Sequence, residues 1–247
     1  MWLWSFVFGS CIGSFLNVVA LRLKKEEDFI RGHSHCVSCL HELNWKDLIP
    51  VFSWMWLRGK CRYCGRNISP RYWIVEVGSG CMFMLMTGIW NGREWLGLLD
   101  LWLLASLAIF CSLTDLQEQV IYPKGLVIIG LFHIVMEVVG LLGNLHVQSV
   151  FVAGVFYGVI YIVGYIIWKE EVFGLGDCYY LATIALWYPV KEILLIGLLS
   201  FVVGGGILGF FLVWKKERIE RVAFVPFMVI AQLLVMSLGV EWFGWWK

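Results

Sequence analysis

Residues 192–214 read EILLIGLLSFVVGGGILGFFLVW, a single acid followed by an unbroken apolar run. At about 1.5 Å per helical residue, a run of this length matches a hydrocarbon core of about 30 Å. Working outward, further apolar segments lie near 2–21, 73–90, 96–114, 125–142, 148–168, 175–190 and 222–243, separated by short polar breaks. The chain therefore reads as all-α and polytopic, with about eight transmembrane helices. The segment 175–190 is the shortest, reaching only about 24 Å. Composition agrees: of 247 residues, 60% are hydrophobic and 15% charged, which excludes both a disordered chain and an ordinary water-soluble core.

The net charge of +1 says little until the charges are placed along the chain. If the N-terminus faces outward, the inner segments 22–72, 115–124, 169–177 and 215–221 carry 16 of the 19 Lys and Arg residues. Arg93, Lys191 and Lys247 are left outside, as the positive-inside tendency prefers. Dropping the segment 175–190 would put Lys215, Lys216, Arg218 and Arg221 outside, so parity argues for keeping it. The first segment has no basic region before it and is followed by Arg22, Lys24 and Lys25, the pattern of a retained helix rather than a cleaved signal peptide. Both termini are expected outside. Gly9, Gly13 and Asn17 recur at spacing four and predict a close-packing, hydrogen-bonding face, and Gly204, Gly205, Gly206 and Gly209 predict another site of close helix approach.

Three segments follow: 1–21 as the first transmembrane helix, 22–72 as an inner-face loop domain, and 73–247 as the remaining membrane domain. The loop contains Cys36-Val37-Ser38-Cys39 and Cys61-Arg62-Tyr63-Cys64. Two paired thiolate turns match a tetrahedral structural zinc site on Cys36, Cys39, Cys61 and Cys64. A reducing compartment disfavours the disulfide alternative, and a redox pair fits two distant CxxC turns less well. His33, His35 and His41 flank the first pair as substitute ligands or as ordinary solvated histidines. The loop's ten basic and five acidic residues suit anionic lipid and, lacking a compact aromatic-basic stripe, point away from nucleic acid. Cys11, Cys81, Cys111 and Cys178 read as packing residues.

Two acids stand at helix ends on the inner side: Asp115, closing one apolar segment, and Asp177, in Gly174-Leu175-Gly176-Asp177. A convergent carboxylate pair can share a proton, activate water and protonate a peptide carbonyl, which is aspartyl-protease chemistry. The alternative is two solvated helix-end groups. Helix-end dipoles make Asp177 the base and Asp115 the acid, and the two glycines suggest an unusual local turn. Glu118, Glu170 and Glu171 are neighbouring alternatives. No Ser or Cys nucleophile has a convincing base nearby, and a transporter would use Glu76, Asp100 or Glu137.

An ordered set of motifs extends over nearly the whole chain: Gly13-Ser14-Phe15-Leu16-Asn17, the two CxxC pairs, Leu48-Ile49-Pro50, Gly59-Lys60-Cys61, Ile68-Ser69-Pro70-Arg71-Tyr72 leading to Val75-Glu76, Asp115-Leu116 and Gly174-Leu175-Gly176-Asp177. In this order they resemble the bacterial prepilin peptidase (type IV leader peptidase) family of membrane aspartyl proteases. The resemblance implies a multi-pass protein of the bacterial inner membrane that cleaves the leader of pilin-like or pseudopilin precursors at the cytoplasmic face. It places the catalytic aspartates on Asp115 and Asp177 and the zinc ligands on Cys36, Cys39, Cys61 and Cys64. It also implies N-methylation of the new terminus from S-adenosylmethionine, without assigning residues to it. The chain departs from the family pattern at Val37-Ser38, Tyr122-Pro123-Lys124, Tyr179 and Val225-Pro226-Phe227, positions that bear on substrate docking and on tuning of the acid pair. A silent membrane scaffold and a transporter, each with a structural zinc loop, are the competing readings.

Overall fold

The computed structural model describes residues 1–24, 33–90, 95–139, 145–169, 173–215 and 222–238. Lys25, Arg93, Glu170, Glu171, Lys216, Arg218, Arg221 and Lys247 of the charge argument lie outside them. Every apolar segment of the sequence forms a helix: α1 (Trp2–Lys24), α3 (Pro70–Ile89), α4 (Trp95–Glu118), α5 (Pro123–Val138), α6 (Val147–Trp168), α7 (Leu175–Ile184), α8 (Val190–Lys215) and α9 (Val225–Leu238). The short α2 (Phe52–Trp56) belongs to the loop. Among the described residues there are two isolated β-bridges, His35 with Glu42 and Lys60 with Asn67, and no sheet.

Five helices, α1, α3, α4, α6 and the Val190–Phe211 part of α8, are long and apolar enough to cross a membrane, so the chain is an all-α, multi-pass membrane protein. The other three are shorter. α7 has 10 residues, continues as one 3-10 turn (Ala185–Trp187) and meets Pro189, whose missing N–H cannot extend a helix. Starts are equally local in origin: Pro70 and Pro123 occupy first-turn positions where the lost donor is harmless, and Ser69 Oγ accepts from Arg71 N at 3.3 Å.

The chain forms two compact units, Met1–Phe110 and Cys111–Lys247. In the first, α1 packs along α3 through small residues. A side chain at Gly9 would place its Cβ 2.6 Å from Phe83 Cβ, and one at Gly13 would overlap Ser79. The close-packing face expected of Gly9 and Gly13 is thus present. The hydrogen-bonding part is not: Asn17 is 1% exposed and neither side-chain polar atom has a partner among the described residues. Further along the seam Thr87 Oγ1 donates to Ser5 Oγ at 2.9 Å and accepts from Trp102 Nε1 at 3.2 Å.

In the second unit, polar links between helices replace water as partners. Tyr180 Oη donates to Gln232 Oε1 at 3.0 Å, Gln232 Nε2 donates to Tyr188 Oη at 3.1 Å, and Tyr157 Oη pairs with Ser200 Oγ at 2.8 Å. Of the glycines in α8, Gly204 abuts Phe227, but Gly205, Gly206 and Gly209 have open space where a Cβ would stand. Close approach therefore explains only the first.

Replacing Gly13 by Leu forces α1 and α3 apart and should cost about 1–3 kcal/mol or more. Gly205→Ala, which meets nothing, should be neutral or slightly stabilising. Thermal unfolding in detergent checks both, and equal midpoints for the two variants would contradict the packing account.

Candidate active site and metal centre

Asp115 and Asp177 lie in the same unit and are 6% and 8% exposed. Asp115 is in the last turn of α4, which stops at Gln119 in a left-handed conformation (φ 55°). Asp177 is in the first turn of α7, its N–H donating to Gly174 O at 3.1 Å. The segments that carry them adjoin, since a Cβ at Gly176, next to Asp177, would stand 3.0 Å from Ile121. The two acids are not solvated helix-end groups, since both are buried.

The glycines of this motif have a different role from the expected one. Gly174 has φ −74° and ψ 134°, ordinary extended values. What it lacks is room: a Cβ there would stand 3.1 Å from Asp177 Oδ2, and one at Gly176 would stand 3.0 Å from Ile121 Cδ1. The motif is small so that the carboxylate can fold back over its own turn and the turn can lie against Ile121.

A second set of contacts was not legible as a site. Asp115 Oδ2 accepts from Val225 N at 2.9 Å, and Phe224 contributes another main-chain hydrogen bond. Val225 begins α9 and is fully buried, so its N–H, which no intrahelical carbonyl can take, needs a partner. Asp115 provides it. Flanking both acids is an aromatic cluster in which Phe173 stacks on Tyr157 (4.9 Å, 12°) and packs with Phe201 and Phe224. Phe173 precedes Gly174 and Phe224 precedes Val225, so one cluster fixes the two backbone segments that carry Asp177 and cap Asp115. Only a main-chain donor is involved at Val225, and no side-chain motif could have announced it.

Among the alternatives, Glu118 accepts from Tyr122 Oη at 2.9 Å, while Glu170 and Glu171 are outside the described residues. His133 stacks on Trp187 at 4.0 Å and lies 3.9 Å from Glu137.

In the loop, the Sγ atoms of Cys36, Cys39, Cys61 and Cys64 all lie within 4.8 Å of one another, and Cys36 Sγ is 3.9 Å from Cys64 Sγ. A tetrahedron with thiolate bonds of about 2.3 Å has edges near 3.8 Å, so the donor set fits a tetrahedral divalent ion. Each half is the same turn. Leu40 N donates to Cys36 O (2.8 Å) and Gly65 N to Cys61 O (2.9 Å), while Cys36 N donates to His41 O and Cys61 N to Arg66 O. Leu40 and Gly65 are both left-handed, at φ 57° and 70°. Main-chain hydrogen bonds at Cys39 and Ser38 hold the Cys36 thiol down at about 6. His41 stacks on Tyr63 at 3.8 Å, and no histidine joins the ligand group among the described residues.

Asp47 braces the second cysteine turn against the 3-10 turn Trp45–Asp47. It closes a capping box with Asn44 and accepts from Arg62 Nε at 2.6 Å and Tyr63 Oη at 3.0 Å. Burial opposes its charge, but the Arg62, Tyr63 and Asn44 donors outweigh this and hold its carboxyl below the usual range.

Comparison with known proteins follows this division. A model described as Bacterial Peptidase A24 N-terminal domain matches residues 7–90, and one described as Type IV leader peptidase family matches residues 102–210. A prepilin leader peptidase/N-methyltransferase of Myxococcus xanthus is 30% identical over 86% of this chain, which spans 63% of that relative's length. A type 4 prepilin-like proteins leader peptide-processing enzyme of Escherichia coli is 31% identical, covering 73% of the chain and 74% of the relative. A prepilin leader peptidase/N-methyltransferase of Xanthomonas campestris is 30% identical, covering 94% and 89%. No solved structure matches.

Because the folded carboxyl of Asp47 is depressed, its contribution is fully present above the ordinary carboxylate pKa and is lost as pH falls through the lower folded value. Asp47→Asn should therefore speed metal loss to a chelator at neutral pH. Release followed with a chromogenic chelator at pH 7 tests this, and an unchanged rate would show that Asp47 does not brace the cluster.

Proposed function

The chain belongs to the type IV leader peptidase family, and on that premise we propose that it is an aspartyl endopeptidase removing the leader from pilin-like precursors at the cytoplasmic face of the bacterial inner membrane. The observation that supports this most is the pair of buried acids, Asp115 and Asp177, on adjoining segments of one compact unit and within the residues matched by the leader-peptidase model. A scaffold has no use for two buried carboxylates brought together, since each is costly in an apolar surrounding. The eight helices are read as crossings, with the shorter α5, α7 and α9 completing the count that puts 22–72 on the inner side. In this reading 22–72 is a cytoplasmic domain closed by structural zinc on Cys36, Cys39, Cys61 and Cys64, and 73–247 is the peptidase domain.

The chemistry is a water addition. With Oδ2 committed to the Val225 N–H, Asp115 is the acid placed to serve as base. This reverses the allocation expected from helix ends, because the α9 start faces Asp115 and offsets the α4 terminus. Asp115 takes a proton from water as the oxygen adds to the scissile carbonyl, and Asp177 donates one to that carbonyl oxygen. Collapse of the tetrahedral diol breaks the C–N bond: the proton held by Asp115 passes to the leaving amine, and one diol hydroxyl returns its proton to Asp177 as it becomes the carbonyl of the new carboxyl group. The precursor's apolar helix stays in lipid and its leader reaches the inner face, so no backbone polar group is stranded.

The same family reading adds N-methylation. S-adenosylmethionine would supply an electrophilic methyl group, and the new terminal amine, having lost a proton, would displace it with release of S-adenosylhomocysteine.

Asp115→Asn and Asp177→Asn should each lower precursor cleavage by about a hundredfold to ten-thousandfold without preventing membrane insertion. Val225→Pro, which deletes the donor to Asp115, should be at least about tenfold worse than Val225→Ala, which keeps it. Mass spectrometry of a membrane-embedded precursor reads both results. Normal cleavage by either Asn variant rejects the acid pair, and equal activity of the two Val225 variants rejects the role of the main-chain donor.

A further inference from the structure

Glu76, in the first unit, is 8% exposed in the apolar seam between α1 and α3. Its Oε1 accepts from Ser14 Oγ at 2.8 Å and its Oε2 from Val51 N at 2.7 Å, and no cation pairs with it among the described residues. A buried carboxylate without a counter-ion is expensive. Two further features sit beside it. The α1–α3 register, which sets Gly13 against Ser79 and Ser14 against Glu76, puts Asn17 level with the 72–76 turn of α3. Asn17 is the 1% exposed amide with neither polar atom satisfied among the described residues. Val51 is the third feature. It has φ 66° and ψ −54°, with Phe52 N donating to Pro50 O at 2.7 Å, a γ-turn that a β-branched residue adopts only under strain.

An uncompensated acid, an unpartnered buried amide and a strained turn meeting in one place are what a ligand site looks like before its ligand binds. From this juxtaposition we infer that Glu76, Asn17 and Ser14 form a binding site for a primary ammonium group. The chemistry matches group by group. A carboxylate offers about four acceptor positions, of which two are taken, and the Asn17 carbonyl and the Ser14 lone pairs add others for the three donors of an ammonium. The positive charge supplies the missing counter-ion.

The use of such a site rests on the methyl-transfer reading above. The acid pair and most of the leader-peptidase match fall in the second unit, whereas Glu76 lies in the part matched by the separate N-terminal model. The relatives' names couple a leader peptidase with an N-methyltransferase. Both reactants of that second reaction carry a primary ammonium: S-adenosylmethionine at its amino-acid end, and the newly exposed terminus of the product.

The test uses the full-length protein in lipid nanodiscs, tritiated S-adenosylmethionine and a synthetic peptide with a free α-amino group corresponding to an already cleaved product, so methylation does not depend on cleavage. Glu76→Gln should reduce methyl incorporation on the order of tenfold to a hundredfold. Asn17→Leu should reduce it at least about tenfold while raising the thermal midpoint, because an unpaired buried amide is removed. A merely structural Asn17 would not give that opposite pair of changes, and the second variant keeps the inference testable if Glu76→Gln fails to fold. Weaker S-adenosylmethionine binding by Glu76→Gln assigns the site to the donor's ammonium. Unchanged donor binding with a raised peptide KM assigns it to the acceptor's. Methylation by both variants at the wild-type rate overturns the inference. So does a wild-type protein that cleaves precursor but neither methylates the peptide nor binds the donor, a result that leaves the leader-peptidase reading standing.

Discussion

A polar group inside a bilayer has no water to turn to, and much of the arrangement of this protein follows from that constraint. In the second unit the solution is a set of direct links between helices: Tyr180 to Gln232 to Tyr188, and Tyr157 to Ser200. The same requirement draws Asp115 and the start of α9 together, because the buried N–H of Val225 and the buried carboxylate each lack another partner as good. Satisfying the backbone and positioning the acid are one event. The aromatic cluster of Tyr157, Phe173, Phe201 and Phe224 then fixes the segments on which this meeting depends.

Much of this was legible in the sequence because apolar length, glycine spacing and thiolate spacing are local properties. Each apolar segment became a helix, and the four cysteines converged. What could not be read was anything set by a neighbour distant in the chain. Pro189 marks the end of α7 locally, but the link from Tyr180 through Gln232 to Tyr188 joins residues that nothing in the sequence pairs. Gly204 and Gly205 look alike in sequence, yet one meets an aromatic ring and the other meets nothing. Gly174 invited an argument about backbone conformation, whereas the reason for it is the proximity of a carboxylate oxygen. Asn17 seemed a natural hydrogen-bonding residue, and its lack of a partner among the described residues is visible only in three dimensions.

The first unit follows the bilayer constraint less completely. Glu76 has donors but no counter-charge among the described residues, and the turn that supplies one of those donors is strained at Val51. Proteins retain such imbalance where the rest of the structure over-determines it, and stability at that point is limited by it. The two units thus hold their buried acids in different surroundings: Asp115 is met by the start of α9, and Glu76 takes its donors from α1 and from a strained turn.

The two cysteine turns share a hydrogen-bond pattern but not a cost. Gly65 enters the left-handed region without steric penalty, while Leu40 reaches it against its own Cβ. The Cys61–Cys64 half is accordingly shaped by its sequence alone, whereas the Cys36–Cys39 half holds the same turn at a steric cost. The two halves are therefore unequal: the earlier one carries the conformational cost of the loop, and the later one does not.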